Sequence, residues 1–215
     1  MIILCYLLTI LYVLAILGLC GVLKNKNIIS EEGSRKIVHI LVSFAYVFMY
    51  KMICTSIHLI IIPCLFVILN YISYKKNLFK GMELDSRKSL GTVYYPLSMV
   101  VMATITYFNH SFYPYYGIGL FTMAFADGIA PLIAQKIKSK KIIFDNRTIS
   151  GSITVFIISL IVLMIFKNIF SISYSFIEII LLAVISTVLE FFGGKIDNLV
   201  LPIGISLLSY MVVMI

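Results

Sequence analysis

The stretch Gly117-Ile-Gly-Leu-Phe-Thr-Met-Ala-Phe-Ala-Asp127-Gly128-Ile-Ala-Pro131 decides the reading of this chain. It has the apolarity of a membrane-crossing helix, yet it carries one acid where such a helix normally has none. An ionisable group inside a spanning segment is costly, so it comes with a partner or a task. A lysine-rich loop follows, and then Arg147-Thr148-Ile149-Ser150-Gly151-Ser152 at the mouth of another apolar run. The neighbours of Asp127 in sequence are therefore cations, hydroxyls and glycine.

Outside this stretch the chain is just as apolar. Of its 215 residues 61% are hydrophobic and only 12% charged, which excludes an ordinary soluble protein and specifies a polytopic membrane protein. Apolar runs of roughly 17 to 22 residues, the length a bilayer core requires, begin near Ile2, Ile37, Ser56, Gly91, Pro114, Gly151, Tyr174 and Asn198. The expected fold is all-α, a transmembrane helix bundle of about seven or eight spans, in one integral membrane domain covering residues 1–215. Ile2 to Leu23 lacks a basic leader and a small-residue cleavage site, so it is expected to persist as the first span.

A net charge of +8 would suit nucleic acid, but in a membrane chain basic residues are first an orientation signal. Alternate loops, around Lys24 to Lys36, Lys75 to Lys88, Lys136 to Arg147 and Lys195, hold 15 of the 17 lysines and arginines; Lys51 and Lys167 lie on the opposite side. The positive-inside rule then places the N-terminus outside and the basic loops in the cytoplasm, with the bilayer rather than nucleic acid as partner. The cysteines Cys5, Cys20, Cys54 and Cys64 lie in apolar runs without metal-ligand spacing and read as packing residues.

Polar residues gather at the ends of the apolar runs on that cytoplasmic side. In Glu31-Glu32-Gly33-Ser34-Arg35-Lys36-Ile-Val-His39, the residues Glu32, Lys36 and His39 share one helical face. Such a face can bind a phosphate or position a proton acceptor, and it equally suits a charged helix start. Asp85-Ser86-Arg87-Lys88-Ser89 closes a basic loop. Asp127 lies about 13 Å below the end of its helix at Lys136, where a carboxylate needs a cation. Gly128 permits close approach, and Pro131 removes the hydrogen bond to the Asp127 carbonyl and is expected to loosen the helix. Thr148 to Ser152 offer a helix N-terminus that can take an anion, or simply a cap by Thr148 or Ser150. Glu190-Phe-Phe-Gly193-Gly194-Lys195-Ile-Asp197-Asn198 adds oxygen ligands of the kind magnesium uses. The P-loop, GxGxxG, GxSxG and HExxH patterns are absent from the sequence. His58 and His110 fall at the other ends of the runs and read as structural.

In this order the clusters resemble the polyprenol kinase family, which includes dolichol and phytol kinases and is related to membrane cytidylyltransferases. The likeness runs from about Glu32 to Pro202 through Arg35-Lys36-x-x-His39, Asp127-Gly128-x-Ala130, Thr148-x-x-Gly151-Ser152, Glu190 and Asp197-Asn198-x-x-x-Pro202. It implies magnesium-assisted phosphoryl transfer from CTP, or another nucleotide triphosphate, to a long-chain isoprenoid alcohol. Asp127 would ligate the metal, with Asp197, Asn198 and Glu190 as further oxygen donors. Arg147, Thr148, Gly128, Gly151 and Ser152 would hold phosphate, Lys36 would offset developing charge, and His39 or Glu32 would take the alcohol's proton. The chain departs from the family pattern at Ala134 and Lys138, where glycines are usual, at Arg147, where lysine is, and at Ser150, where glutamate is. The rival readings are a cytidylyltransferase making a CDP-lipid, and a non-catalytic scaffold or transporter with a decayed nucleotide site.

Overall fold

The computed structural model describes residues 2–53, 55–76, 90–137 and 147–214, with the backbone alone for Glu31 and Glu32. The Asp85 to Ser89 cluster, Cys54, Lys138 and the Glu32 side chain lie outside the described residues. Among the described residues the fold is all-α. The helices are α1 (Ile2–Asn25), α2 (Glu31–Ser43), α3 (Ala45–Ile53), α4 (His58–Lys76), α5 (Gly91–Phe108), α6 (Tyr113–Ile137), α7 (Ile149–Phe170), α8 (Phe176–Gly193) and α9 (Asp197–Met214). Among the described residues six stretches are long and apolar enough to cross a membrane, which makes this a multi-pass integral membrane protein.

That number is below the expected seven or eight for two reasons. Tyrosine, threonine, serine and proline dilute α5, which is helical as expected but is not among the six. Helices α8 and α9 form one continuous apolar stretch, Phe176–Met214, folded back through a short turn. Helices α2 and α3 also share one stretch, Gly33–Ile53, interrupted at Phe44.

The chain divides into two compact units, Met1–Tyr113 and Pro114–Ile215. In the first, α1 presents isoleucine and leucine outward and buries Cys5, Thr9, Val13, Ile16 and Cys20, a stripe at helical spacing. It ends where Asn27 turns left-handed at φ 56° and Ile28 N–H bonds the Leu23 carbonyl at 3.0 Å. Ser30 caps α2 by accepting from Gly33 N–H at 3.0 Å. Tyr46 and Tyr113 stack at 4.4 Å, and each hydroxyl donates to the other's backbone carbonyl, at 2.9 and 2.7 Å. His58 accepts or donates at Tyr6 Oη, 2.9 Å away, and His110 Nδ1 lies 3.1 Å from the Thr106 carbonyl, consistent with structural roles for both. Cys5, Cys20 and Cys64 are free thiols, as packing cysteines should be.

In the second unit α6 is helical throughout, Pro131 included, so the expected loosening does not interrupt it. Gly119 permits α6 to touch α9 closely: a Cβ there would strike the Pro202 carbonyl and the Ser206 hydroxyl. Ser175 and Glu178 form a reciprocal capping box at the start of α8. Two of the buried hydroxyls are satisfied locally, Ser159 and Ser186 each donating to the carbonyl four residues back at 2.8 Å. This is how small hydroxyl residues are tolerated where water is absent.

Candidate functional site

The site in the second unit is built at the end where α6 finishes, α7 begins and α8 turns into α9. The turn is local chemistry: Gly194 takes φ 53°, open to glycine at little cost, and a Cβ on Gly193 would lie 2.9 Å from that of Asp197. This sharp reversal delivers Glu190 from the last turn of α8 and Asp197 from the first turn of α9.

Both carboxylates meet Arg147, the residue before the α7 cap. One terminal guanidinium nitrogen donates to Glu190 Oε1. The other donates to the Glu190 backbone carbonyl at 3.1 Å and to Asp197 Oδ2 at 3.0 Å. Asp197 Oδ1 accepts from Asn198 N–H at 2.8 Å, which fixes the carboxylate plane. The side chains of Arg147, Glu190 and Asp197 are only 23%, 12% and 20% exposed, so the guanidinium is held in one orientation rather than free in solvent. Asp127, half-buried on α6, lies within electrostatic reach of both Glu190 and Asp197. Two carboxylates therefore hold one arginine, and a third, that of Asp127, acts on both of them.

The start of α7 is a capped helix terminus. Thr148 is the cap, its hydroxyl accepting from Gly151 N–H at 3.1 Å, so the capping role read in the sequence is the one this hydroxyl performs. A Cβ on Gly151 would stand 3.0 Å from that hydroxyl and 3.9 Å from the Ala134 Cβ, which puts the α6 end beside the α7 start. Ser152 Oγ is buried and has no hydrogen-bond partner among the described residues. Gly128 is buried in α6.

Among the described residues no three His, Cys, Asp or Glu side chains form a ready metal cage. Glu190 and Asp197 bond to Arg147 instead. The chemistry still fits magnesium: the donors are oxygens, and this ion commonly uses one or two carboxylates plus phosphate oxygens and water.

The remaining sequence candidates belong to the first unit. Lys36 and His39 are buried on α2, at 4% and 6% exposure, and Glu32 lies in the helix's first turn. The His39 ring stacks on Tyr95 of α5 at 4.8 Å, tilted by 16°, a partner 56 residues away that no local pattern indicates. The Arg147 bridge was equally hidden, since its two carboxylates lie more than forty residues along the chain.

The fold and site thus define a multi-pass helical membrane protein with an arginine-braced acidic centre at a helix terminus. The chain is 30% identical over 149 residues to phytol kinase from Synechocystis sp. strain PCC 6803, covering 65% of this chain and 61% of that protein. The similarity is distant, and the chain spans less than two thirds of the length of that relative. No family model matches the chain, and no solved structure matches it significantly.

Proposed function

We propose that the chain is a membrane kinase that transfers a phosphoryl group from CTP, or another nucleotide triphosphate, to a long-chain isoprenoid alcohol at the cytoplasmic face. The observation that carries this reading is Arg147 braced by Glu190 and Asp197 within reach of Asp127, in a chain homologous to a phytol kinase. Phosphoryl transfer needs positioning and charge neutralisation more than covalent chemistry. A guanidinium fork matches phosphate oxygens, and here two carboxylates hold the fork before the substrate arrives. An incoming phosphate competes with those carboxylates, exchanging one anion for another. The Ser152 hydroxyl and the positive end of α7 favour phosphate at the same place.

A magnesium ion, when bound, would be held by Asp127 with Asp197, Asn198 and Glu190 as further oxygen donors, and would neutralise phosphate charge. Gly128 allows the phosphates to approach α6 closely. The alcohol must lose a proton; His39 or Glu32 accepts it and Lys36 offsets the developing charge, assignments that rest on the family resemblance.

The test is to incubate reconstituted protein with an isoprenoid alcohol, magnesium and CTP labelled at either the γ or the α phosphate, with ATP and GTP in parallel. The γ label in the lipid is expected. The α label in a lipid would mean cytidylyl transfer, and neither label with any nucleotide would mean a non-catalytic protein.

A further inference from the structure

Within the first unit, α1 to α5 surround a cavity of about 570 Å³, inside the roughly 300–1,000 Å³ range of small-molecule sites. Along α1 its wall extends from Tyr6 to Leu17, a length of about 16 Å at helical rise. The wall is polar at one end, where Arg35 and His39 of α2 meet Asn70 of α4 and Thr92 of α5. These last two are joined, Asn70 Nδ2 donating to the Thr92 carbonyl at 2.8 Å. Beyond them the lining is aliphatic and aromatic except for the hydroxyls of Tyr6, Thr9 and Tyr95; that of Tyr6 is already bonded to His58, and that of Tyr95 donates to the His39 carbonyl at 3.5 Å.

Two details say what such a cavity accepts. Arg35 Nε is buried with no hydrogen-bond partner among the described residues, and a buried donor left without an acceptor is costly. An oxygen at the polar end of a ligand would satisfy it. Ile10 and Leu14 of α1 and Leu65, Ile68 and Leu69 of α4 line the cavity and are also exposed on the outer surface. The opening therefore lies between α1 and α4 and is rimmed by apolar side chains, an entrance from the bilayer and not from water.

The geometry points to this cavity as the binding site for one isoprenoid alcohol, which enters between α1 and α4, lays its chain along α1 and sets its oxygen against Arg35 and His39. The identity of the ligand rests on the proposed kinase activity; the wall itself requires a linear apolar molecule with one oxygen-bearing end. Met99 is the lining residue of α5 farthest from Thr92 and is 6% exposed, so its volume sets how much of the tail fits beyond about 10 Å from the polar end. Arg35 is a binding residue for the oxygen, and Met99 a specificity residue for the tail.

The experiment measures equilibrium binding of labelled isoprenoid alcohols of increasing chain length to the full chain in nanodiscs, without nucleotide. The site predicts a length optimum that Met99→Trp moves to shorter alcohols, weakening the longest about tenfold or more, and that Met99→Ala moves to longer ones. Opposite shifts from one position cannot come from misfolding. Arg35→Gln is expected to weaken the alcohol but not the matching hydrocarbon. An optimum unmoved in both Met99 variants, or equal competition by ordinary phospholipid, overturns the site. Shifted binding without phosphoryl transfer from any nucleotide sinks the kinase reading and leaves the site standing; γ-label transfer with unshifted binding does the reverse.

Discussion

Arg147 donates to Asp197 Oδ2 at 3.0 Å, joining the approach to α7 to the first turn of α9 across fifty residues of sequence. The same guanidinium holds Glu190, so one side chain ties the α8–α9 reversal to the start of α7. Structure and chemistry are therefore coupled at this residue.

Replacing Arg147 by alanine leaves two partly buried carboxylates beside Asp127 with no guanidinium between them. We expect loss of kinase activity and a stability loss of roughly 1–3 kcal/mol, read as a lower melting temperature in detergent. Arg147→Lys keeps the charge but not the fork. It is expected to recover most of the stability and, with one point charge replacing paired donors, to lose roughly tenfold or more in kcat/KM. Equal activity of lysine and arginine would rule out the fork as a phosphate clamp.

Thr148 is used as a helix cap, so its removal should be a stability effect first. Thr148→Ala is expected to cost about 1 kcal/mol, while Thr148→Ser keeps the cap and stays near wild type. Thermal unfolding of the two variants checks this, and a stable but inactive alanine variant would assign the hydroxyl to phosphate instead.

Gly119 sets the α6–α9 approach. Gly119→Leu forces side-chain atoms against the Pro202 carbonyl and Ser206, and overpacking of this kind costs about 1–3 kcal/mol. Because α6 carries Asp127 and α9 carries Asp197, activity is expected to fall with stability. A variant with unchanged melting temperature would show that the helices separate easily.

Much of this was legible in the sequence, and the reasons are physical. Apolar runs located the helices because the bilayer demands them: Gly91 begins α5, Tyr113 precedes the expected Pro114, and Asp197 precedes Asn198. The start of α2 was less visible, since its first six residues, Glu31 to Lys36, are polar or glycine and the apolar run begins only at Ile37. At the site, the residue types were readable but their pairing was not. Asp127 in an apolar helix announces a need for positive charge; nothing local says that Arg147 is placed by Glu190 and Asp197. Oxygen-rich residues read as metal ligands are, in the fold, also arginine partners, because a side chain's chemistry is in the sequence and its neighbour is set by packing.

The central claim is that Asp127 serves phosphoryl transfer and not packing. Asp127→Asn preserves size and shape while removing the charge, so the decisive measurement is γ-label transfer to an isoprenoid alcohol by this variant and wild type, reconstituted side by side with matched thermal unfolding. The account predicts a fall of roughly 100-fold or more, the scale on which loss of one charge-stabilising group acts. Transfer at the wild-type rate would contradict it.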